Sequence, residues 1–140
     1  MGLEKYIKLA DSLGVEWFVV SDNDPKGLNY ARAAEIHLKG RPKQKHVQVL
    51  SHGDMEVFLC MVGFGAIYKA GIAPQKAKNV TAPADTLEYW QQVTDAQPKN
   101  AKPRNVMAVA EEIAKQGKAS VPSLLASIID RARTLAQECV

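Results

Sequence analysis

Cysteine is scarce in this sequence: Cys60 and Cys139 are the two in 140 residues. Two thiols cannot build the disulfide framework of a small secreted domain, and their spacing offers no zinc site. A reducing cytoplasm is the expected compartment. Long apolar runs are missing too. None reaches the roughly 18–20 residues that a membrane-spanning helix requires, so no membrane partner is expected. The first ten residues mix Glu4, Lys5 and Lys8 with apolar side chains and lack the core of a signal peptide. Neither sign of charge dominates: 18 Lys and Arg against 15 Asp and Glu give a net +3. That balance permits a nucleic-acid partner without pointing to one. No internal repeat stands out. What remains is an ordinary globular composition, 46% hydrophobic and 24% charged, which excludes long disorder. The length suits one domain of average size.

Leu3, Tyr6, Ile7, Ala10 and Leu13 recur at helical spacing, and Gly14 follows as a stop. Glu16-Trp17-Phe18-Val19-Val20-Ser21 is a short run without alternation, which suits a strand covered on both faces of a parallel sheet. A second helix is expected from Leu28, closed by Gly40, and a second strand over His46-Val47-Gln48-Val49-Leu50. Asp54 is placed to cap a helix over residues 55–69. Val57, Phe58, Leu59, Val62 and Phe64 leave that helix no polar face, so it reads as core. After Ala70 the periodicity fades. A short helix is expected over residues 86–94, a polar basic linker over 97–103, then helices from Arg104 and from Pro122. The order predicts an α/β core over residues 1–75 and a helical segment over 76–140 packed on it. Two strands fall short of the usual four to six, so the chain reads as part of a larger α/β domain.

The sharpest local feature is Asp22-Asn23-Asp24, directly after the first strand. Side chains two apart in an extended segment point the same way. Two carboxylates therefore meet at the strand's C-terminal end, where open α/β sheets bind ligands. Like charges this close repel unless a cation or a proton intervenes, and a hard divalent ion suits them. The competing reading is a plain turn, which Asp, Asn and Pro all favour. The second strand ends similarly, with Ser51, Asp54 and Glu56 within six residues of Leu50. Adjacent parallel strands would bring these groups beside Asp22 and Asp24 at one end of the sheet. The competing reading is that Asp54 caps its helix and Glu56 completes the first turn.

The string Trp17-Phe18-Val19-Val20-Ser21-Asp22-Asn23-Asp24-Pro25-Lys26-Gly27 resembles the aspartate motif of a Toprim domain. More specifically, it resembles the Toprim region of overcoming-lysogenisation-defect (OLD) family ATP-dependent endonucleases. Leu9-Ala10-Asp11-Ser12-Leu13-Gly14 is similar to the helix before that motif. Asp54-Met55-Glu56-Val57-Phe58-Leu59 is similar to the later acidic motif, and Lys102-Pro103 to the start of the Lys-bearing C-terminal part. The resemblance covers nearly the whole chain, and its motifs are short. It implies a partial Toprim, Rossmann-like sheet and cleavage of DNA phosphodiesters with Mg²⁺ or Mn²⁺. Asp22, Asp24 and Glu56 would be metal ligands; Glu56 and Lys102 would be the catalytic pair, with the Lys102 ammonium offsetting charge at the scissile phosphate. Ser51 and Asp54 would be further candidates at the same site.

The departures are equally specific. The family's earlier strand carries Glu-Gly-x-x-Glu, and nothing here matches it. No Gly-x-x-x-x-Gly-Lys-Ser/Thr loop is present, so no ATP site is expected in this chain. The chain is thus expected to be a fragment, a truncated product or a degenerate copy. Weak metal binding and little or no cleavage by itself follow. Alternatives from other classes are a non-catalytic remnant acting in assembly or DNA contact, and another Mg²⁺ enzyme built on Asp-x-Asp. The open sheet edge makes a second copy or a donated strand a candidate partner. His37, His46 and His52 read as a helix-surface, a strand-edge and a loop residue, and Cys60 as core. Lys39, Arg41, Lys43, Lys45 and His46 form a basic run, a solvated turn or a phosphate contact.

Overall fold

The computed structural model describes residues 2–138, so Cys139 lies outside the described residues. In chain order the elements are α1 (Glu4–Ser12), β1 (Val19–Ser21), α2 (Pro25–Ile36), α3 (Lys43–His46), β2 (Val47–Val49), α4 (Met55–Leu59), α5 (Gly65–Ala70), α6 (Pro74–Ala77), α7 (Leu87–Asp95), α8 (Ala101–Gln116) and α9 (Ser123–Glu138). The chain is therefore mixed α/β and mostly helical, with a two-stranded parallel sheet among the described residues. None of the described helices is long and apolar enough to cross a membrane. Two compact units emerge, one from Met1–Ser51 with Ser123–Val140, the other from His52–Pro122. This division differs from the boundary near residue 75 expected from the change in composition.

The first unit is built around the two strands. Val19 pairs with Val47, Val20 with Gln48 and Ser21 with Val49, and the Leu50 amide extends the ladder to the Ser21 carbonyl at 2.9 Å. Both strands are shorter than the apolar runs that announced them. Ile7, Trp17, Val19, Ala31, Ala34 and Val47 form the core, with Leu3, Ala10, Leu38 and Val49 packed against it. Burying each larger aliphatic side chain stabilises the unit by roughly 1.5–3 kcal/mol. Helix α1 stops where Gly14 takes a positive φ of 66°, a conformation glycine adopts without steric cost. Helix α9 joins this unit from far along the chain. Arg131 donates to the Gln44 carbonyl at 2.9 Å and to Gln48 Oε1 at 3.0 Å, and Lys45 pairs with Glu138 at 2.9 Å.

The second unit is helical. Asp54 caps α4 as expected, accepting from the Val57 amide at 2.9 Å. The continuous helix expected over residues 55–69 is broken. At Gly63 the backbone turns to φ 113° and leaves the helical region, so α4 and α5 are separate pieces. Val57, Phe58, Leu59, Cys60, Phe64 and Tyr68 are buried, whereas the kink turns Val62 out to solvent. Gly65 must lack a side chain, because a Cβ there would run into the Trp90 ring. Thr86 caps α7 through the Tyr89 amide at 3.1 Å. Helix α8 begins at Ala101, so Lys102 and Pro103 lie in its first turn and not on a linker. Proline is tolerated there because the first amides of a helix have no intrahelical partner. The preceding polar residues are pinned as well. Gln97 donates to the Tyr68 carbonyl at 2.8 Å and to the Val93 carbonyl at 3.1 Å, and accepts from Asn105 at 3.1 Å.

Candidate functional site

In the first unit, Asp22 and Asp24 share one cleft at the C-terminal end of β1. Its volume is about 390 Å³, and Ser21, Lys26, Gly27 and Tyr30 also line it. Asp24 caps α2, its carboxylate accepting from the Gly27 amide at 2.6 Å. Pro25 at the first helical position completes a conventional start. The turn reading of this string is thus realised in the cap, and the same two carboxylates also line the cleft. Gly27 is required by sterics: a Cβ there would collide with the backbone carbonyl of Asp22. That close approach seats the first turn of α2 against the strand end. Neither Asp22 nor Asp24 forms an ion pair among the described residues. Ser21 is buried, and its hydroxyl has no hydrogen-bond partner. The loop after β2 reaches the same end of the sheet, since Asn23 donates to the Ser51 carbonyl at 3.4 Å.

In the second unit, Glu56 and Lys102 meet. They lie far apart in sequence, in the first turns of α4 and α8, and their charged atoms are 2.8 Å apart. Glu56 is 15% exposed and Lys102 71%, so the ion pair by itself adds little to stability. Both line a cavity of about 150 Å³ together with Asp54, Tyr68, Lys99 and Asn105. Burial, then the charges of Asp54 and Glu56, push the Cys60 thiol up to about 12. This agrees with its reading as an inert core residue. Tyr68 was not legible as a site residue; it carries no signal beyond that of a core aromatic.

The basic run of the first unit lies at the other end of the sheet, and its charges are engaged internally. Lys39 and Arg41 pair with Asp11 at 2.8 and 3.0 Å, and Arg41 also with Glu16 at 3.2 Å. Lys43 pairs with Glu35 at 2.8 Å. His46 is buried rather than at a strand edge, with Nδ1 2.8 Å from the Trp17 carbonyl oxygen. Its ring packs edge-on to Trp17, over which the Arg41 guanidinium also sits. The Trp17 indole donates to Asp11 at 3.2 Å. Lys39 beside it, with help from Trp17 and Arg41, holds the Asp11 carboxyl below its ordinary value.

Asp22 and Asp24 supply the hard oxygen donors that a divalent cation prefers, and the Ser21 hydroxyl adds a neutral one. The donor set fits such an ion in kind. It is sparse in number: among the described residues, no group of three or more His, Cys, Asp or Glu side chains is placed to hold a metal.

The chain is similar to the uncharacterized protein YbjD of Escherichia coli (strain K12), with 29% identity over 138 residues. The match covers 97% of this chain and 24% of YbjD, so the chain spans about a quarter of that relative's length. No family model matches the chain, and no solved structure matches it.

Proposed function

We propose that this chain is part of a Toprim-type, metal-dependent DNA endonuclease of the OLD kind, incomplete as it stands. The observation that carries the reading is the Glu56–Lys102 pair at 2.8 Å. The two residues belong to separate short motifs of the family resemblance, Glu56 as a metal ligand and Lys102 as the group that offsets phosphate charge. The strand-end cleft with Asp22 and Asp24 supports the reading from the other motif. In this proposal Asp22 and Asp24 hold Mg²⁺ or Mn²⁺, which when bound activates water and offsets charge on the leaving oxygen. Lys102 supplies a mobile positive charge for a phosphate oxygen, with Glu56 keeping the ammonium in place until substrate arrives. Asp54 and Ser51 hold the flanking turns, Asp54 through its helix cap and Ser51 through its carbonyl.

A second reading is a non-catalytic module that serves assembly or DNA contact. It is favoured by the structural employment of two candidate ligands: Asp24 caps α2 and Glu56 is neutralised by Lys102. Metal titration followed by plasmid nicking separates the two. The purified chain should bind Mn²⁺ weakly, with binding lost in Asp22→Ala and Asp24→Ala, and should nick plasmid DNA little or not at all. A longer protein that supplies the earlier glutamate strand should nick it, and the same substitutions should abolish that activity. Mn²⁺ binding untouched by either substitution, or nicking that survives Asp24→Ala, would defeat the endonuclease reading.

A further inference from the structure

Tyr68 is fully buried, yet its hydroxyl has no hydrogen-bond partner. It lies on α5 and lines the same 150 Å³ cavity as Asp54, Glu56, Lys102 and Asn105. A phenylalanine would fill the core equally well without burying an unsatisfied polar group, which is costly wherever it occurs. The cavity is polar and large enough for a few water molecules, each of which needs two to four polar partners. Burial, and beyond it the neighbouring Cys60, Glu56 and Asp54, push the Tyr68 ionisation far above its ordinary value. The phenol therefore stays protonated and has a proton to donate. The carboxylates facing the cavity are acceptors only.

We propose that Tyr68 is a positioning residue for the Glu56–Lys102 pair. Its hydroxyl donates to a water in the cavity, and that water donates to the Glu56 carboxylate. Glu56 is thereby held from two sides, by the Lys102 ammonium toward solvent and by the Tyr68 hydroxyl from the core. A carboxylate fixed in this way has fewer rotamers to lose when it engages a ligand. The functional meaning of this arrangement rests on the endonuclease reading, but its geometry is testable without DNA or metal.

The test is a double-mutant cycle on the full chain, read by urea unfolding. Tyr68→Phe keeps the ring and removes only the hydroxyl, whereas Glu56→Met keeps the length and removes the acceptor. Tyr68→Phe should lower the folding equilibrium constant about tenfold, and most of that loss should vanish in the Glu56→Met background. An unchanged or higher constant for Tyr68→Phe would overturn the proposal, because the hydroxyl would then be idle. An equal loss in both backgrounds would overturn it as well, because the role would then be packing. Should Tyr68→Phe fail to fold, the hydroxyl proton of Tyr68 can be followed by NMR in the native chain and in Glu56→Met. A slowly exchanging signal that shifts on Glu56→Met supports the bridge, and its absence or invariance refutes it. Neither readout uses catalysis, so failure here and failure of the endonuclease reading are separable.

Discussion

The two ends of the small sheet are built on opposite principles. At the N-terminal end of the strands, Asp11, Glu16, Lys39 and Arg41 lie around Trp17 and His46, and each of the four charges has an opposite partner within 3.2 Å. At the C-terminal end, Asp22 and Asp24 line an open cleft with Ser21 and Lys26, and neither carboxylate forms an ion pair among the described residues. One end is closed by ion pairs. The other carries two carboxylates that form no ion pair among the described residues, at the place where parallel sheets bind ligands. A basic run looks like a phosphate contact in sequence, yet here it clamps the fold. The acidic turn, which looks like a mere turn, retains exposed charge. Counting charges along the chain cannot separate these cases, because what matters is whether the opposite charge lies within reach.

Substitutions can break this contrast from either side. The largest effect is expected at the closed end. Trp17→Ala removes a buried ring that also anchors Asp11 and Arg41, and should cost about 3–5 kcal/mol in urea unfolding. A cost under about 1 kcal/mol would mean that this end does not hold the unit together. At the open end the sensitive point is steric. Gly27→Ala forces α2 away from the Asp22 carbonyl and should cost about 1–3 kcal/mol, with amide shifts confined to β1 and α2.

Acid should weaken the closed end through Asp11. The Asp11 carboxyl is held below its ordinary value of 3.8. The folded state therefore binds fewer protons than the unfolded one in that range, and stability rises with pH. The Asp11 contribution is full above about pH 4 and disappears as pH falls through the lowered folded value. Unfolding midpoints measured from pH 5 to pH 2 should decline less steeply in Asp11→Asn. The smallest effect belongs to Asp22→Asn, within about 0.5 kcal/mol of the native stability without metal. If Mn²⁺ raises the unfolding midpoint of the native chain, this variant should lose that increment. An Asp22→Asn cost above 2 kcal/mol would show the open end to be structural after all.

The strands, the cap at Asp54 and the stop at Gly14 were legible because each is a local signal within a few residues. The strand-end position of Asp22 and Asp24 was legible for the same reason. The break at Gly63 was visible only as a glycine inside an apolar run, and its positive φ carries no mark in the sequence beyond that residue. Lys102 looked like a linker residue because Pro98 and Pro103 bracket it. The helix starts between them because Pro103 falls in the first turn, where its missing amide costs nothing. The Glu56–Lys102 pair required two helix starts to coincide in space, which no periodicity reports. Tyr68 was invisible for a subtler reason. Its ring satisfies every expectation of a core position, and only the stranded hydroxyl distinguishes it.

The return of α9 to the first unit has a consequence for the order in which the chain can fold. The whole of His52–Pro122 is inserted between β2 and the helix that covers its flank. A ribosome therefore releases the sheet long before it releases Arg131 and Glu138, the residues that fasten α9 to Gln44, Gln48 and Lys45. The second unit is contiguous and closes over shorter loops, which favours earlier assembly. The first unit must wait with part of its apolar surface uncovered, and that interval is when a nascent chain is most exposed to chaperones and to mispairing of β-edges. Chains stalled after Pro122 should give protease resistance in the inserted unit before it appears in the segments on either side.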